Sequence, residues 1–236
     1  MRVHFLALSL MLSGAAFPQL LLASQAADAS HGKAPQGADS PKLQAPSGRY
    51  EMDPNHSYVG FSVKHLGVSN YQGRFTDVRM QLELVPDNLS ASSVQVRINA
   101  DSIAADYSGD FKAKHPESAF ASWPQTLARS EQFFNSKKYP WIEFHSTQIE
   151  EDASGELLIS GNLTLLGQTH PVRLTAKLVG SMAKHPFTGA GVIGFSAQGS
   201  FERSRFGMTH LVETGAVGDE VRIVFEGEFK QVKAVN

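Results

Sequence analysis

The sequence predicts a mainly β fold, an antiparallel barrel or two-sheet sandwich that short helices interrupt once. About eight segments alternate apolar and polar residues with a period of two, which is typical of strands with one buried face. In the first of these, Val59, Phe61 and Val63 share one face, while Tyr58 and Lys64 lie on the other. The connections between most segments are short and rich in turn residues, which favours antiparallel neighbours. The polar faces carry charged residues, whereas a membrane barrel would need apolar outward faces.

The later strands follow the same alternation along the chain. A second strand begins after Ser69 and Asn70. Further alternating segments cover residues 78–84, 94–98, 141–146, 157–165, 172–178, 193–201 and 221–229. Residues 101–139 differ, because they contain scattered prolines and only weak helical spacing at 127–134. We therefore expect one or two short helices inserted between strands.

The N-terminal part predicts export. Arg2 and His4 precede a largely apolar run over residues 5–22, and small residues around position 26 fit a signal-peptidase cleavage site. Residues 1–26 are thus predicted to be a signal peptide, with a retained membrane anchor as the alternative. Residues 27–48 are rich in Ala, Gly, Pro and Ser, which indicates a flexible linker. The barrel domain is expected over 49–234, and the exported protein is expected in the periplasm.

The composition and motifs exclude several function classes. The chain has 21 Lys and Arg against 23 Asp and Glu, so no basic excess indicates a nucleic-acid partner. It has no cysteine, which removes disulfides and thiolate chemistry. No phosphate-binding glycine loop and no histidine pair with zinc spacing occurs. We predict no catalytic residue, metal site or cofactor. An enzyme that uses Asp53, His56 and His65 is the alternative, and it requires these side chains to converge at an apolar pocket.

Small residues on the inward faces bear on whether the interior is hollow. Gly161, Ala176, Ala197, Gly199 and Gly227 share faces with large apolar residues. A barrel of about eight strands either fills with side chains or holds one small ligand, so missing side-chain volume would leave a cavity. The other explanation is that the glycines mark bulges and bends. A long apolar chain would suit such a cavity, since burial gives about 0.8 kcal/mol per CH₂ group.

Several motifs in the same order resemble the YceI family of exported, lipocalin-like polyisoprenoid-binding proteins. They are H-S-x-V-x-F-x-V-x-H-L-G at 56–67, R-S-x-x-F-F-N at 129–135, G-N-L-T-L-x-G at 161–167 and R-x-x-F-G at 203–207. The resemblance implies an antiparallel eight-stranded lipocalin-like barrel around an isoprenoid or fatty-acyl chain, without established catalytic residues. Residues 107–125 form a longer segment than the family pattern, and Arg205 stands where the family often has an acidic residue.

The combined prediction is a periplasmic carrier that sequesters a polyisoprenoid, such as an isoprenoid quinone, or another long-chain lipid. Its ligand-binding residues are expected on the inward faces: Val59, Phe61, Val63, Ile142, Phe144, Leu163, Phe195, Phe201 and Phe225. The expected partner is the apolar lipid, and transient membrane contact and a homodimer are compatible with this function. The alternative is a stress-related structural or interaction protein whose barrel is filled and has no physiological ligand.

Overall fold

A computed structural model describes residues 42–232, and its strands form one closed antiparallel sheet. The predicted signal peptide and residues 27–41 of the predicted linker lie outside the described residues. The strands are β1 (Gly48–Met52), β2 (Tyr58–His65), β3 (Ser69–Phe75), β4 (Val78–Leu84), β5 (Ser93–Asn99), β6 (Ile103–Ala104), β7 (Trp141–Glu151), β8 (Leu157–Leu165), β9 (Gln168–Met182), β10 (Val192–Glu202) and β11 (Val217–Gln231). The helices are α1 (Phe111–Lys114) and α2 (Trp123–Arg129). Neither helix, nor any other within 42–232, has the length and apolar character needed to cross a membrane.

These strands close into an eight-stranded barrel because three of the eight positions are each shared by two short strands. β1 and β2 lie end to end along one edge of β11. β4 and β3 pair with them in turn, and β5 and β6 form the next position. The order continues through β7, β8, β9, β10 and β11, which returns to β1. The predicted antiparallel eight-stranded barrel with short helices is confirmed.

The strands that the sequence pattern did not single out are the two-residue β6 and the longer β1. In β1, Tyr50 is fully buried, and the Tyr50 hydroxyl donates a hydrogen bond to the carbonyl oxygen of Pro46 at 2.6 Å. Ala45 is buried in the same core cluster, and the Gln44 N–H donates to Ser181 Oγ at 2.7 Å. The described end of the segment predicted as a linker therefore contacts the barrel.

The two ends of the barrel differ in how they are filled. Tyr50, Ile193 and Phe229 are buried together at one end, which we call the closed end. At the other end, which we call the mouth, lie the turn 66–68, the insertion 105–140 and the loop 203–216. Any cavity inside the barrel must therefore lie towards the mouth, because core side chains occupy the closed end.

Helix α2 begins earlier than the apolar spacing at 127–134 indicates. Ser122 is its N-cap, and the Ser122 Oγ accepts a hydrogen bond from the Gln125 N–H at 3.3 Å. Pro124 lies in the first turn, where its missing N–H costs nothing. The cap and the proline locate the start of this helix better than the periodicity does, because the helix is shorter than the window in which a 3.6-residue pattern can be recognised.

Candidate ligand-binding cavity

The mouth half of the barrel encloses a cavity of about 530 Å³. A volume of this size is within the range of pockets that bind small ligands. Its walls come from strands around the whole barrel, and its cover comes from the insertion that contains α2. The apolar wall residues are Val59, Phe61, Val63, Phe75, Met80, Val96, Ile98, Ile142, Phe144, Leu163, Leu165, Val172, Leu174, Ala197, Phe201, Val221, Ile223 and Phe225.

Eight of the nine predicted ligand-binding residues line this cavity. They are Val59, Phe61, Val63, Ile142, Phe144, Leu163, Phe201 and Phe225. Phe195 does not, because it lies nearer the closed end of β10 than Phe201 and packs against the core there. The ring centroids of Phe195 and Phe229 are 6.3 Å apart. Phe195 therefore does not line this cavity, and ligand binding by all nine residues stays a prediction.

The inward glycines do not themselves create the cavity. A Cβ atom added at Gly161 would overlap the Phe144 ring and would lie 2.6 Å from the His145 carbonyl oxygen. At Gly199, an added Cβ would lie 2.5 Å from the Leu174 side chain. The space over these glycines is therefore filled by Phe144 and Leu174, which lie close against the wall. A bend contributes as well, since the pairing of β7 with β8 shifts register beside Gly161.

Helix α2 and the turn that follows it cover one side of the cavity. Leu127 of α2 and Phe133 and Phe134 after it line the cavity. Phe134 meets the rings of Phe61 and Phe75 edge-on, with centroid distances of 6.3 and 5.5 Å. Such aromatic pairs contribute about 0.5–1.5 kcal/mol each beyond their buried area. They join the cover to β2 and β3.

A charged contact also holds the cover to the barrel. Arg129, at the end of α2, donates from Nε and Nη2 to the two carboxylate oxygens of Asp101, both at 2.9 Å. Ser136 Oγ donates to Asp101 Oδ1 at 2.8 Å. These hydrogen bonds lower the pKa of Asp101 to about 2, and the bond from Arg129 has the largest effect. Asp101 is therefore ionised at neutral pH, as this contact requires.

Several polar groups line the cavity at its mouth. The Trp123 Nε1–H donates to the Tyr71 hydroxyl at 2.8 Å, which connects the cover to β3. Burial raises the pKa of Tyr71, and the charge of Asp106 acts in the same direction. Asp106 and His65 line the cavity too. The cavity therefore offers hydrogen-bonding groups at the mouth, whereas its deeper walls are apolar.

Arg203 is a buried cation beside the cavity. Its side chain donates to the backbone carbonyls of Gly218 and His210, both at 2.8 Å, of Val217 at 2.9 Å and of Met208 at 3.1 Å. Burial lowers the pKa of its guanidinium. Within residues 42–232, no carboxylate lies in ion-pair distance of Arg203. The guanidinium therefore fixes the loop 203–216 to the start of β11 through carbonyl groups alone.

Asp53 and His56 lie together at the corner between β1 and β2, away from the cavity. Asp53 Oδ2 is 2.6 Å from His56 Nδ1 and 2.5 Å from Lys230 Nζ. Asp53, His56 and Glu228 present possible metal-ligand atoms within 4.8 Å of one another, but a cation would compete with Lys230 for Asp53. His65 lies at the mouth instead. The three side chains on which the enzyme alternative depends therefore do not converge at one pocket.

The Asp53 contacts predict a defined loss of stability in acid. Burial raises the pKa of Asp53, but hydrogen bonds from His56 and Lys230 outweigh it and lower the pKa to about 2. A carboxyl group with a lowered folded-state pKa stabilises the fold above its unfolded pKa, and this contribution of about 2 kcal/mol is lost as the pH falls from about 4 to about 2. The Asp53→Asn variant lacks this carboxyl group. We therefore expect its free energy of unfolding to fall on acidification by about 2 kcal/mol less than that of the wild type. Urea denaturation between pH 6 and 2 measures it, and parallel curves for the variant and the wild type would contradict it.

The comparisons with known proteins agree with this architecture. A family model described as the YceI-like domain matches residues 50–229. Protein YceI of Salmonella arizonae is 33% identical over 191 residues, which cover 80% of this chain and 90% of that protein. The crystal structure of the Campylobacter jejuni YceI protein aligns with a TM-score of 0.57 and 26% identity over 72% of this chain and 90% of that one. Burkholderia cenocepacia BcnA aligns with a TM-score of 0.58 and 22% identity over 75% and 98% of the two chains, a likeness in fold alone. The chain belongs to the YceI-like family.

Proposed function

We propose that this protein is a periplasmic carrier that holds a polyisoprenoid or another long-chain lipid in its barrel. The observation that carries the proposal is the cavity of about 530 Å³ with apolar walls. Membership of the YceI-like family supports the same class of ligand. The periplasmic location rests on the signal peptide predicted at residues 1–26.

The filled-barrel alternative fits this interior less well. An apolar void forfeits dispersion contacts, so an interior that serves only as a core should be packed throughout. The closed end meets that expectation, with Tyr50, Ile193 and Phe229 buried together. The mouth half instead keeps its large side chains around a continuous space. This difference between the two halves favours a barrel interior that binds a ligand.

The cavity volume sets the length of chain that it can hold. At roughly 30 Å³ per CH₂-sized group, taken from the volume of a water molecule, a cavity of about 530 Å³ holds roughly 18 groups. This corresponds to roughly three or four isoprene units. Their burial would give on the order of 10 kcal/mol before the costs of ordering and association. Additional units would extend beyond the mouth and gain less.

A chain-length series tests this proposal. We expect the affinity for quinones with one to ten isoprene units to rise steeply up to about four units and then level off. Trp123 lines the cavity, so its fluorescence should report occupancy, whereas Trp141 lies under the Arg97 guanidinium at 3.9 Å and does not line it. A Trp123→Phe variant identifies the reporting residue. Affinity that is absent, or independent of chain length, would contradict a lipid cavity of this size.

A further inference from the structure

Large apolar side chains are exposed around the mouth, next to residues that line the cavity. Leu66 and Val68, in the turn between β2 and β3, are 60% and 84% exposed, and Leu211, in the loop before β11, is 39% exposed. The two segments are joined, because the Leu66 N–H donates to the Ala216 carbonyl oxygen at 2.9 Å. Leu211 and His65 themselves line the cavity. Leu66, Val68 and Leu211 thus form an apolar mouth rim.

A comparison of two turns at this end of the barrel shows that Leu66 is not explained by folding. Leu66 and Leu166 both have a φ of 51°, and each precedes a glycine with positive φ. Turns with two positive φ angles favour Asn-Gly, because a leucine is strained in this conformation. Leu166 packs against the core cluster around Phe206, which offsets the strain. Leu66 combines the same strain with an exposed side chain, and strained residues of this kind cluster at functional sites.

The charges next to the rim favour a negatively charged partner. Lys64 and His65 directly precede Leu66, and both are exposed. The chain has no acidic residue between Asp53 and Asp77. Within the described part of the chain, Lys64 takes part in no ion pair. The acidic exceptions near the mouth are Glu213, in the adjoining loop 207–216, and Asp106, which lines the cavity. Exposed apolar side chains beside basic residues are typical of segments that enter the headgroup region of anionic bilayers.

We propose that the mouth rim, together with Lys64, docks on the surface of an anionic lipid bilayer. In that position, the opening of the cavity faces the acyl-chain boundary, and a long apolar molecule moves between bilayer and barrel without crossing water. The purpose of the docking rests on the proposed carrier function. The docking itself rests on the exposure, the strained Leu66 turn and the local charge.

Vesicle co-sedimentation tests the docking. The rim variant is Leu66→Asn combined with Val68→Thr, in which asparagine suits the turn better than leucine does, so that the fold should be at least as stable. The control is Phe187→Asn, which removes an aromatic side chain that is 92% exposed in the hairpin 183–191 at the closed end. With phosphatidylcholine vesicles containing phosphatidylglycerol, we expect the rim variant to bind at least about tenfold more weakly than the wild type. The Phe187→Asn variant should bind like the wild type.

Three outcomes would overturn the docking proposal. They are a wild type that does not bind these vesicles, a rim variant that binds as well as the wild type, and a Phe187→Asn variant that is weakened as much as the rim variant. The first of these outcomes, when it is accompanied by self-association of the wild type that the rim variant loses, would identify a second copy as the occupant.

Quinone uptake from two sources distinguishes membrane docking by the rim from lipid binding in the barrel. From detergent micelles, the rim variant should take up a long-chain quinone as the wild type does, because neither Leu66 nor Val68 lines the cavity. From anionic vesicles, its uptake should be at least about tenfold slower. A wild type that docks on vesicles but takes up no quinone from either source would contradict the carrier function and leave the docking standing.

Discussion

Ala197→Trp should abolish lipid loading while the barrel stays folded, with a loss of affinity of about 100-fold or more. Ala197 lines the cavity from β10, where it pairs with Ala176 on one side and Phe225 on the other. An indole at this position would occupy much of the space that an isoprenoid chain needs. The indole is itself apolar and would be buried, so we expect the free energy of unfolding to change by less than about 1.5 kcal/mol. Isothermal titration calorimetry with a four-unit quinone measures the affinity.

The matched control for this variant is Ser200→Trp. Ser200 lies on the same strand with an exposed side chain, so a tryptophan there adds the same bulk outside the barrel. We expect wild-type affinity for the quinone. If Ala197→Trp binds the quinone as tightly as the wild type does, the cavity is not the binding site.

Arg203→Met should destabilise the protein by about 3–5 kcal/mol, the largest single-residue loss of stability that we expect. Arg203 is only 3% exposed, and it satisfies carbonyl groups in the loop 203–216 and at the start of β11. Methionine fills a similar space but leaves those carbonyls buried without donors. Arg203→Lys should also be destabilised, since an ammonium group does not reproduce the planar fork of donors.

The comparison that isolates this effect is Arg205→Met. Arg205 lies two positions along the same 3₁₀ turn, Arg203–Phe206, but its side chain is exposed. We expect it to change the free energy of unfolding by no more than about 0.5 kcal/mol. Urea denaturation of both variants measures the difference. Similar stabilities for Arg203→Met and Arg205→Met would show that the carbonyl contacts contribute little.

The inward faces could be predicted from the sequence because the alternation of a strand determines which side each residue takes. This is why Val59, Phe61 and Val63 were assigned correctly to one wall. Alternation does not determine how far along the barrel a residue lies. Phe195 and Phe201 share a face of β10, yet one packs in the core at the closed end and the other lines the cavity. That distinction depends on which end the other strands fill.

The cover and the glycines depended on contacts between distant residues. Phe134 lines the cavity because Arg129 and Asp101 hold the insertion against the barrel, a pairing that local spacing does not predict. The signal that could have located α2 is the Ser122 cap with Pro124 after it. At Gly161, the sequence left a cavity and a bend equally open, and the observed reason involves the neighbouring strand, because Phe144 lies over the glycine.

Native mass spectrometry of the protein purified without detergent tests most directly whether the barrel carries a lipid. We expect the wild type to carry an additional mass, which lipid extraction identifies as an isoprenoid or other long-chain lipid, and Ala197→Trp to carry none. Wild-type protein that repeatedly appears at its apo mass, and stays at that mass after exposure to quinone, would contradict a lipid carrier.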